Sequence, residues 1–488
     1  MTERELLAVV VVGLPAIAAA LLAVAPQKLV SRIALVCAPP VGAIGLALAG
    51  WALADPQGAQ AGTWIVVDAA AGVLVAAIAV VGVASVLVSP TALRTLPASL
   101  VAEKRRDRTY YVVLYAFWAI LLAVPLAGNL GAAWLLVEAT TAASAILVGF
   151  SGKPRALEAA WKYLILTSLG LGVALLGIVL LAAGAPGGGL DGLTWGELSN
   201  FDGDQDTALV AYVLLLAGLA AKIGWAPVHN WLPDAHSEAP PPVSALLSGA
   251  LLPAVLLVAW RSTDALEPVV GRGAAESILL AFGLLSLAVA VPFLWSELAW
   301  KRLLAYSSLE HMGVIALGIA FASPLALAGV VVHVLGHAIA KSLGFYAATP
   351  LLLSRPRASG HPVGGVARDE PMLGATMAIS LAALAGLPPS PLFVSEVLIV
   401  AGGFQAGHDW IAALAAVLLA LGFLGIAHAL IETTVGRPRG KGEHPRSPRR
   451  PGLAALACVS LALLLALAAV APWLPASDLV DTLAQGLS

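Results

Sequence analysis

Long apolar segments recur along the whole chain and alternate with short polar stretches. Fourteen can be distinguished, at residues 6–24, 33–54, 64–89, 110–128, 130–150, 161–184, 207–226, 241–260, 275–295, 303–322, 324–352, 372–402, 410–433 and 452–473. An apolar helix of about 20 residues spans a bilayer, whereas a membrane barrel needs shorter segments in which apolar and polar residues alternate. The pattern predicts an all-α polytopic membrane protein with about 14 transmembrane helices.

Prolines interrupt two of these segments. Pro227 and Pro233 follow the seventh, and Pro388 and Pro389 fall inside the twelfth. Proline breaks a helix, and broken backbone at membrane depth is tolerated only where protein or water covers it. The two breaks lie five segments apart, and an odd displacement inverts the direction of crossing, so we predict two inverted five-helix repeats, each with a broken helix. The predicted units are an N-terminal three-helix segment (1–109), a first repeat (110–261), a second repeat (262–435), and a basic loop with a C-terminal helix (436–488).

The basic residues predict an orientation. The chain is 60% hydrophobic and 11% charged, far below the charge content of soluble domains. If both termini are outside, only Arg4, Arg261 and Arg272 face the outside, Lys222 and Lys341 lie within spans, and all other Lys and Arg residues fall in inside loops. This asymmetry follows the positive-inside rule. It places the basic loop 436–450 inside, where it can contact lipid headgroups.

No redox or metal motif is visible in the sequence. Cys37 and Cys458 both lie in apolar segments and form no cluster, and there is no haem-attachment motif, dinucleotide fingerprint or nucleic-acid module. We therefore expect no redox cofactor, catalytic residue or metal site in this chain, and no nucleic-acid partner.

Two opposite charges stand out in the first repeat. Glu138 is the only charge in its span, and Lys222 follows a long apolar run. An ionisable residue inside a membrane is a functional hypothesis by default. A carboxylate and an ammonium group stabilise each other's charged form at low dielectric, so the sequence favours a proton-relay pair. A helix-packing hydrogen bond at Glu138 and a purely structural ion pair remain as alternatives.

A polar stripe marks the eleventh segment. His333, His337 and Lys341 follow the spacing i, i+4, i+8, which places them on one helical face. Titratable groups one turn apart suit proton hopping, although a merely packed stripe remains an alternative. The two histidines have no intervening glutamate of the HExxH type and no nearby cysteine, so they do not predict a metal site.

Four further titratable residues complete the candidate relay. Glu396 follows the second break, and Glu310, together with its neighbour His311, lies early in the tenth segment, where the two could bridge the repeats or face the inner surface. His229 and His236 lie at the first break, and both proton uptake and helix capping are open to them.

Three segments resemble the antiporter-like proton-channel family: HNWLPDAHSEAPPPVSALLSG, KRLLAYSSLEHMG and HAIAKSLGF. That family includes the large membrane subunits of respiratory complex I, Mrp-type cation/proton antiporters and membrane subunits of energy-converting hydrogenases. The shorter strings VEATT, SEAP, LLSG and SLEHMG are most similar to hydrogenase-4 component F.

The resemblance implies a proton-translocating subunit of a redox-driven complex in a prokaryotic cytoplasmic membrane. Glu138 and Lys222 match the family's first half-channel pair, Lys341 its central lysine with His337 beside it, and Glu396 its terminal residue. Ser248 departs from the pattern, because some members have a titratable residue there. The implied partners are other membrane subunits, lipid, and a soluble cytoplasmic redox arm that holds iron–sulfur and nickel–iron or other redox centres. A Na⁺ or K⁺/H⁺ antiporter of the Mrp type and a structural scaffold are the rival hypotheses.

Overall fold

The computed structural model describes residues 2–55, 60–96, 106–185, 189–437 and 451–484. Within these ranges the helices are α1 (Glu3–Val24), α2 (Val30–Ala54), α3 (Ala69–Ala92), α4 (Arg106–Ala123), α5 (Leu130–Val148), α6 (Pro154–Ala183), α7 (Gln205–Ile223), α8 (Trp231–Glu238), α9 (Pro241–Leu246), α10 (Leu252–Val270), α11 (Arg272–Leu294), α12 (Trp300–Phe321), α13 (Pro324–Ser354), α14 (Val366–Asp369), α15 (Pro371–Leu384), α16 (Pro391–Gln405), α17 (Asp409–Thr434), α18 (Pro451–Val470) and α19 (Asp478–Ala484). Two short strands, β1 (Gln60–Ala61) and β2 (Val66–Val67), pair antiparallel.

The predicted class, an all-α polytopic membrane protein, is confirmed. In the described part of the chain, 13 helices are long and apolar enough to cross a membrane. One of them runs from Pro241 to Val270 through α9, a π-helical turn and α10. The shorter apolar helices α15 and α16 flank the predicted second break, so together they supply the fourteenth crossing.

Side-chain caps fix where several helices begin. Asp68, Asn129, Ser323 and Ser390 precede α3, α5, α13 and α16, and each accepts a hydrogen bond from the backbone N–H three residues later. Such caps satisfy one of the N–H groups that the first helical turn leaves without a partner. The apolar pattern sets how long each helix is, and these polar residues set its start.

The two breaks share a local geometry. α7 ends at Gly224 with φ of 81°, and Gly386 after α15 has φ of 70°. Both values lie in the left-handed region, which glycine adopts without strain. A proline follows each glycine three residues later, at Pro227 and Pro389. The repeats therefore share a short signal at the break, although their sequences show no clear identity elsewhere.

Helix contacts follow the same order in both halves. In the first half α4 packs on α5, α5 on α6, and α6 on α7; in the second, α11 packs on α12, α12 on α13, and α13 on α15 and α16. The segments Pro241–Val270 and Trp300–Phe321 are enclosed by the rest of the protein, whereas α1, α6 and α17 keep outward apolar faces. The sequence in which neighbouring helices pack agrees with the two predicted five-helix units.

Ion pairs connect residues that the sequence assigns to the same side of the membrane. Lys162 and Arg302, both predicted to lie inside, contact Asp234 at 3.4 Å and 3.1 Å. Residues that the sequence assigns to the other side pair as well: Arg261 contacts Asp68 at 2.6 Å. This grouping agrees with the predicted alternation of loops, while the side that faces the cytoplasm stays a prediction. Lys104, Arg105 and residues 438–450 of the basic loop lie outside the described residues.

Candidate functional site

Lys222 lies in the last turn of α7, directly before the first break, and is completely buried. Its Nζ donates hydrogen bonds to Tyr163 Oη (2.5 Å) and Thr141 Oγ1 (2.7 Å). Tyr163 Oη in turn lies 2.7 Å from Ser144 Oγ. A neutral cage of hydroxyl groups from α5 and α6 therefore surrounds the amine.

Glu138 lies on α5 and is half-buried. Its Oε1 accepts a hydrogen bond of 2.6 Å from Ser168 Oγ on α6, and its buried Oε2 has no hydrogen-bond partner among the described residues. In that part of the chain no ion pair within 4.0 Å joins Glu138 to Lys222, so the two members of the predicted pair are not in direct contact. Thr141, one helical turn after Glu138, takes the place of the carboxylate beside the amine.

The first break holds the two predicted histidines in different settings. His236 is fully buried, and its ring stacks on Phe345 with centroids 5.2 Å apart. Burial, reinforced by Lys341 and Lys301, lowers the pKa of His236 to about 3. His229 is less enclosed, and burial lowers its pKa too. Both rings therefore favour the neutral form beside the first break.

A pair of hydroxyl groups lies where the two repeats meet. Ser248, in the π-helical turn before α10, shares a hydrogen bond of 2.8 Å with Ser308 of α12. Ser308 Oγ also donates to the Leu304 carbonyl at 3.0 Å. The fully buried Lys341 donates to that same carbonyl and to Ser307 Oγ. Ser248 is thus connected to Lys341 through Ser308 and one backbone oxygen.

Three buried imidazole rings continue the line beyond Lys341. His333 and His337 stand on the same face of α13, with ring centroids 6.5 Å apart. His311 of α12 inserts beside them, and its centroid lies 5.0 Å from each. His311 Nδ1 and His333 Nε2 are 3.0 Å apart, and His333 Nδ1 lies 2.9 Å from Ser395 Oγ on α16.

Two carboxylates flank the histidines, and each lies against a glycine. Glu310 is only 3% exposed, so it does not face the inner surface. An added Cβ at Gly422 of α17 would overlap Glu310 Oε1. An added Cβ at Gly386, in the second break, would lie 2.7 Å from Glu396 Oε2. The absence of side chains at these two positions makes room for the carboxylates.

Sequence reasoning missed the uncharged members of this arrangement. Tyr163, Thr141 and Ser168 surround Glu138 and Lys222, while Ser308 bonds to Ser248 and to the carbonyl that Lys341 also uses. A hydroxyl group in an apolar helix carries little signal, because many such groups only bond to their own helix. The spacing of Tyr163, Thr167 and Ser168 along one side of α6 is a signal that could have been used.

The chain matches a known protein family. Residues 127–422, more than half of the chain, match the family described as NADH:quinone oxidoreductase/Mrp antiporter, TM. The chain belongs to this family. The resemblance inferred from the sequence is therefore confirmed, and the matched range includes every residue of the candidate relay.

Individual relatives of this antiporter-family chain come from several kinds of complex. A hydrogenase-4 component F homolog from Methylacidiphilum infernorum (isolate V4) is 34% identical over 340 residues, covering 68% of this chain and 71% of that protein. NADH-quinone oxidoreductase subunit N from Desulforudis audaxviator (strain MP104C) is 30% identical over 402 residues, covering 79% and 76%. A chain of the membrane-bound sulfane sulfur reductase, an archaeal respiratory membrane complex, has a TM-score of 0.83 at 22% identity, covering 98% of this chain and 97% of that one. That structural likeness shows a shared fold.

Proposed function

We propose that this chain is a proton-translocating membrane subunit of a redox-driven respiratory complex of the hydrogenase-4, formate hydrogenlyase or complex I type. The observation that carries the proposal is the setting of Lys222 and Lys341. Both are fully buried, and both donate to uncharged oxygen atoms instead of to a carboxylate. A permanent ammonium group in such surroundings costs several kcal/mol. A lysine placed this way suits a site that binds and releases protons as a carboxylate approaches or withdraws.

The first half of the relay consists of the break at α7 and α8 together with Glu138 and Lys222. His229 and His236 lie where protons would be taken up from the inner side. Lys222 then receives a proton inside its hydroxyl cage. Glu138 has one bonded and one free oxygen, so a small movement of α5 against α6 would change its distance from the amine.

The two halves are joined by the hydroxyl pair of Ser248 and Ser308. A hydroxyl group can accept one proton while it donates another, so the pair can pass a proton without holding a charge at rest. The Leu304 carbonyl, which accepts from both Ser308 and Lys341, positions the amine next to this pair.

The second half leads from Lys341 along the imidazole rings to Glu396. His337, His311 and His333 form successive sites with centroid distances of 5.0 Å. Glu310 lies at the side of this line, where its charge acts on Lys341. Glu396 is half-buried and forms the outer end of the relay.

Redox chemistry is assigned to partner subunits. We propose that this chain binds no redox cofactor and assembles with other membrane subunits and with a soluble cytoplasmic arm that contains iron–sulfur and nickel–iron or other redox centres. Relatives in hydrogenase-4 and in NADH-quinone oxidoreductase support this assignment. The proposed location is a prokaryotic cytoplasmic membrane, with both termini outside.

An Mrp-type Na⁺ or K⁺/H⁺ antiporter subunit is the alternative, and the family description includes such antiporters. A secondary cation transporter needs a site rich in carboxylates and unwound carbonyls. Among the residues of the candidate relay, lysines and histidines are at least as numerous as carboxylates, which favours proton relay.

The decisive experiment measures proton uptake per redox turnover by the assembled complex in vesicles. Lys341→Met should abolish the contribution of this subunit, whereas Lys28→Met is the control because Lys28 is exposed in the loop between α1 and α2. Unchanged uptake in Lys341→Met would contradict the proposal. Proton movement driven by a Na⁺ or K⁺ gradient, without redox substrate, would support the antiporter alternative.

A further inference from the structure

Three metal-ligating side chains from three different helices converge in the second half. His311 of α12, His333 of α13 and Glu396 of α16 each offer one ligand atom, and these atoms lie within 4.8 Å of one another. The two imidazole nitrogens are 3.0 Å apart. His311 and His333 are at most 1% exposed, while Glu396 keeps some exposed surface. The cluster is therefore enclosed on the imidazole side and accessible on the carboxylate side.

Ser395 orients the His333 ring for coordination. Its Oγ donates to the Leu392 carbonyl at 2.8 Å, so it is available to accept the proton on His333 Nδ1, which lies 2.9 Å away. This leaves the lone pair of His333 Nε2 directed at the cluster. Metal-binding histidines usually hold their second ring nitrogen in this manner, with the N–H bonded to a fixed acceptor.

The charges around the cluster suit a divalent cation. Glu396 has no hydrogen bond or ion pair to the other described residues within the usual contact distances. Glu310 is close enough to Glu396 to act on it electrostatically, and it is itself buried. Two carboxylates, once both are ionised, would balance a charge of +2. The glycines at 386 and 422 provide the space that the two carboxylates occupy.

We propose that His311, His333 and Glu396 form a binding site for Zn²⁺. Two imidazoles and one carboxylate are a donor set that zinc accepts in tetrahedral geometry, with the fourth position left to water or to Glu310. The ion reaches the site from the exposed side of Glu396. Once bound, it ties α12, α13 and α16 together and occupies the same lone pairs that the proposed relay would use. Zinc therefore arrests proton transfer through the second half; this consequence, unlike the binding itself, rests on the proposed function.

Sequence spacing places His333 and His337 together but predicts no metal site from them. His333 and His337 share one face of α13, but His337 is not part of the converging set, although its ring lies 5.0 Å from that of His311. His337 is therefore a matched control: it is a buried histidine in the same region that should not bind the ion.

The binding test uses the full-length chain purified in detergent and titrated with Co²⁺, whose visible absorption reports tetrahedral coordination. We expect one equivalent to give an intense band that Zn²⁺ displaces. His333→Gln and Glu396→Gln should abolish the band, and His337→Gln should retain it. Ser395→Ala should weaken binding by about 10-fold to 100-fold, as outer partners of metal ligands commonly do. Size-exclusion profiles and circular dichroism verify that each variant is folded.

Two results would overturn the site: no tetrahedral band in the unmodified chain, or the same band in the folded His333→Gln and Glu396→Gln variants. The arrest is tested separately, by adding Zn²⁺ to vesicles that contain the assembled complex. Proton uptake should fall to the level of Glu396→Gln, while added Zn²⁺ has no further effect on that variant. Undiminished uptake at saturating Zn²⁺ would reject the arrest and leave the binding result standing.

Discussion

Lys222 donates its short hydrogen bond to Tyr163 and makes no direct contact with Glu138. The phenol, at 2.5 Å from Nζ, belongs to α6, the helix that also supplies Ser168 to Glu138. One helix thus holds both members of the pair through neutral groups. The amine and the carboxylate act on each other across a gap, so their interaction can change when the helices move.

The first prediction is that Tyr163→Phe uncouples the pair. The variant removes a buried acceptor from Lys222 while Thr141 remains, so the free energy of unfolding should fall by about 1–3 kcal/mol. Proton uptake per turnover should fall as well, because the amine is no longer held at its position.

Tyr212→Phe is the matched control for that variant. Tyr212 is equally buried, and its hydroxyl lies 2.9 Å from Thr263 Oγ1, outside the proposed relay. We expect a similar loss of stability with normal uptake. Equal uptake in both tyrosine variants would remove Tyr163 from the mechanism.

The second prediction concerns the hydroxyl pair of Ser248 and Ser308. Ser308→Ala interrupts the connection between Ser248 and Lys341, so proton uptake should fall while redox turnover of the assembled complex persists. The stability cost should be small, about 0.5–1.5 kcal/mol for one hydrogen bond. Ser262→Ala serves as control: Ser262 is a buried serine on α10 whose hydroxyl, within the described part of the chain, bonds only to the Val258 carbonyl of its own helix. Normal coupling in Ser308→Ala would show that another path joins the halves.

The sequence predicts the fold well because the signals involved are local. The length of each apolar run determines a membrane-spanning helix, and the prolines at 227 and 389 identify both breaks. The stripe of His333, His337 and Lys341 follows from helical periodicity within α13. Each of these inferences needs only one element and its neighbours in sequence.

Contacts between helices were harder to predict. Whether Glu138 meets Lys222 or Ser168 depends on how α5, α6 and α7 rotate and tilt against one another, which spacing within one helix does not determine. The same reason explains why His311 was not assigned to the relay, although it lies 3.0 Å from His333. The hydroxyl pair was missed because Ser248 and Ser308 are uncharged and lie 60 positions apart in the sequence.

The third prediction tests the space for Glu310. Gly422→Ala would place a methyl group on Glu310 Oε1, so the carboxylate must move or α17 must shift. Overpacking of this kind costs about 1–3 kcal/mol, and uptake should fall because the charge near Lys341 is displaced. Gly172→Ala is the control, since a Cβ at that position would meet no atom within 4 Å. Uptake in Gly422→Ala equal to that of the control would show that the position of Glu310 is unimportant.

The fourth prediction concerns orientation. With both termini outside, a single cysteine at Ser447, in a background without Cys37 and Cys458, should react with a membrane-impermeant reagent only from the inside. The reason is the excess of Lys and Arg in loop 436–450. A cysteine at Ser477, after the last crossing, should react from the outside. Labelling of Ser447→Cys from the outside alone would reverse the assignment.

The fifth prediction concerns the pH dependence of stability at the first break. Burial lowers the pKa of His236 to about 3, with Lys341 and Lys301 acting in the same direction. In the unfolded chain the ring takes up a proton below pH of about 6.5, whereas the folded protein does so only near pH 3. The contribution of the neutral His236 ring to the free energy of unfolding is therefore complete above pH of about 6.5, and it is lost progressively as the pH falls toward 3. Between pH 7.5 and pH 5 the loss should be about 2 kcal/mol.

His236→Phe keeps the stacking on Phe345 but cannot titrate, so its thermal midpoint should fall less on acidification than that of the unmodified chain. Replacing the exposed His361 by Phe is the control for removal of a histidine from the surface. If His236→Phe and the unmodified chain lose the same stability over this range, His236 is protonated in the folded state or reached by water.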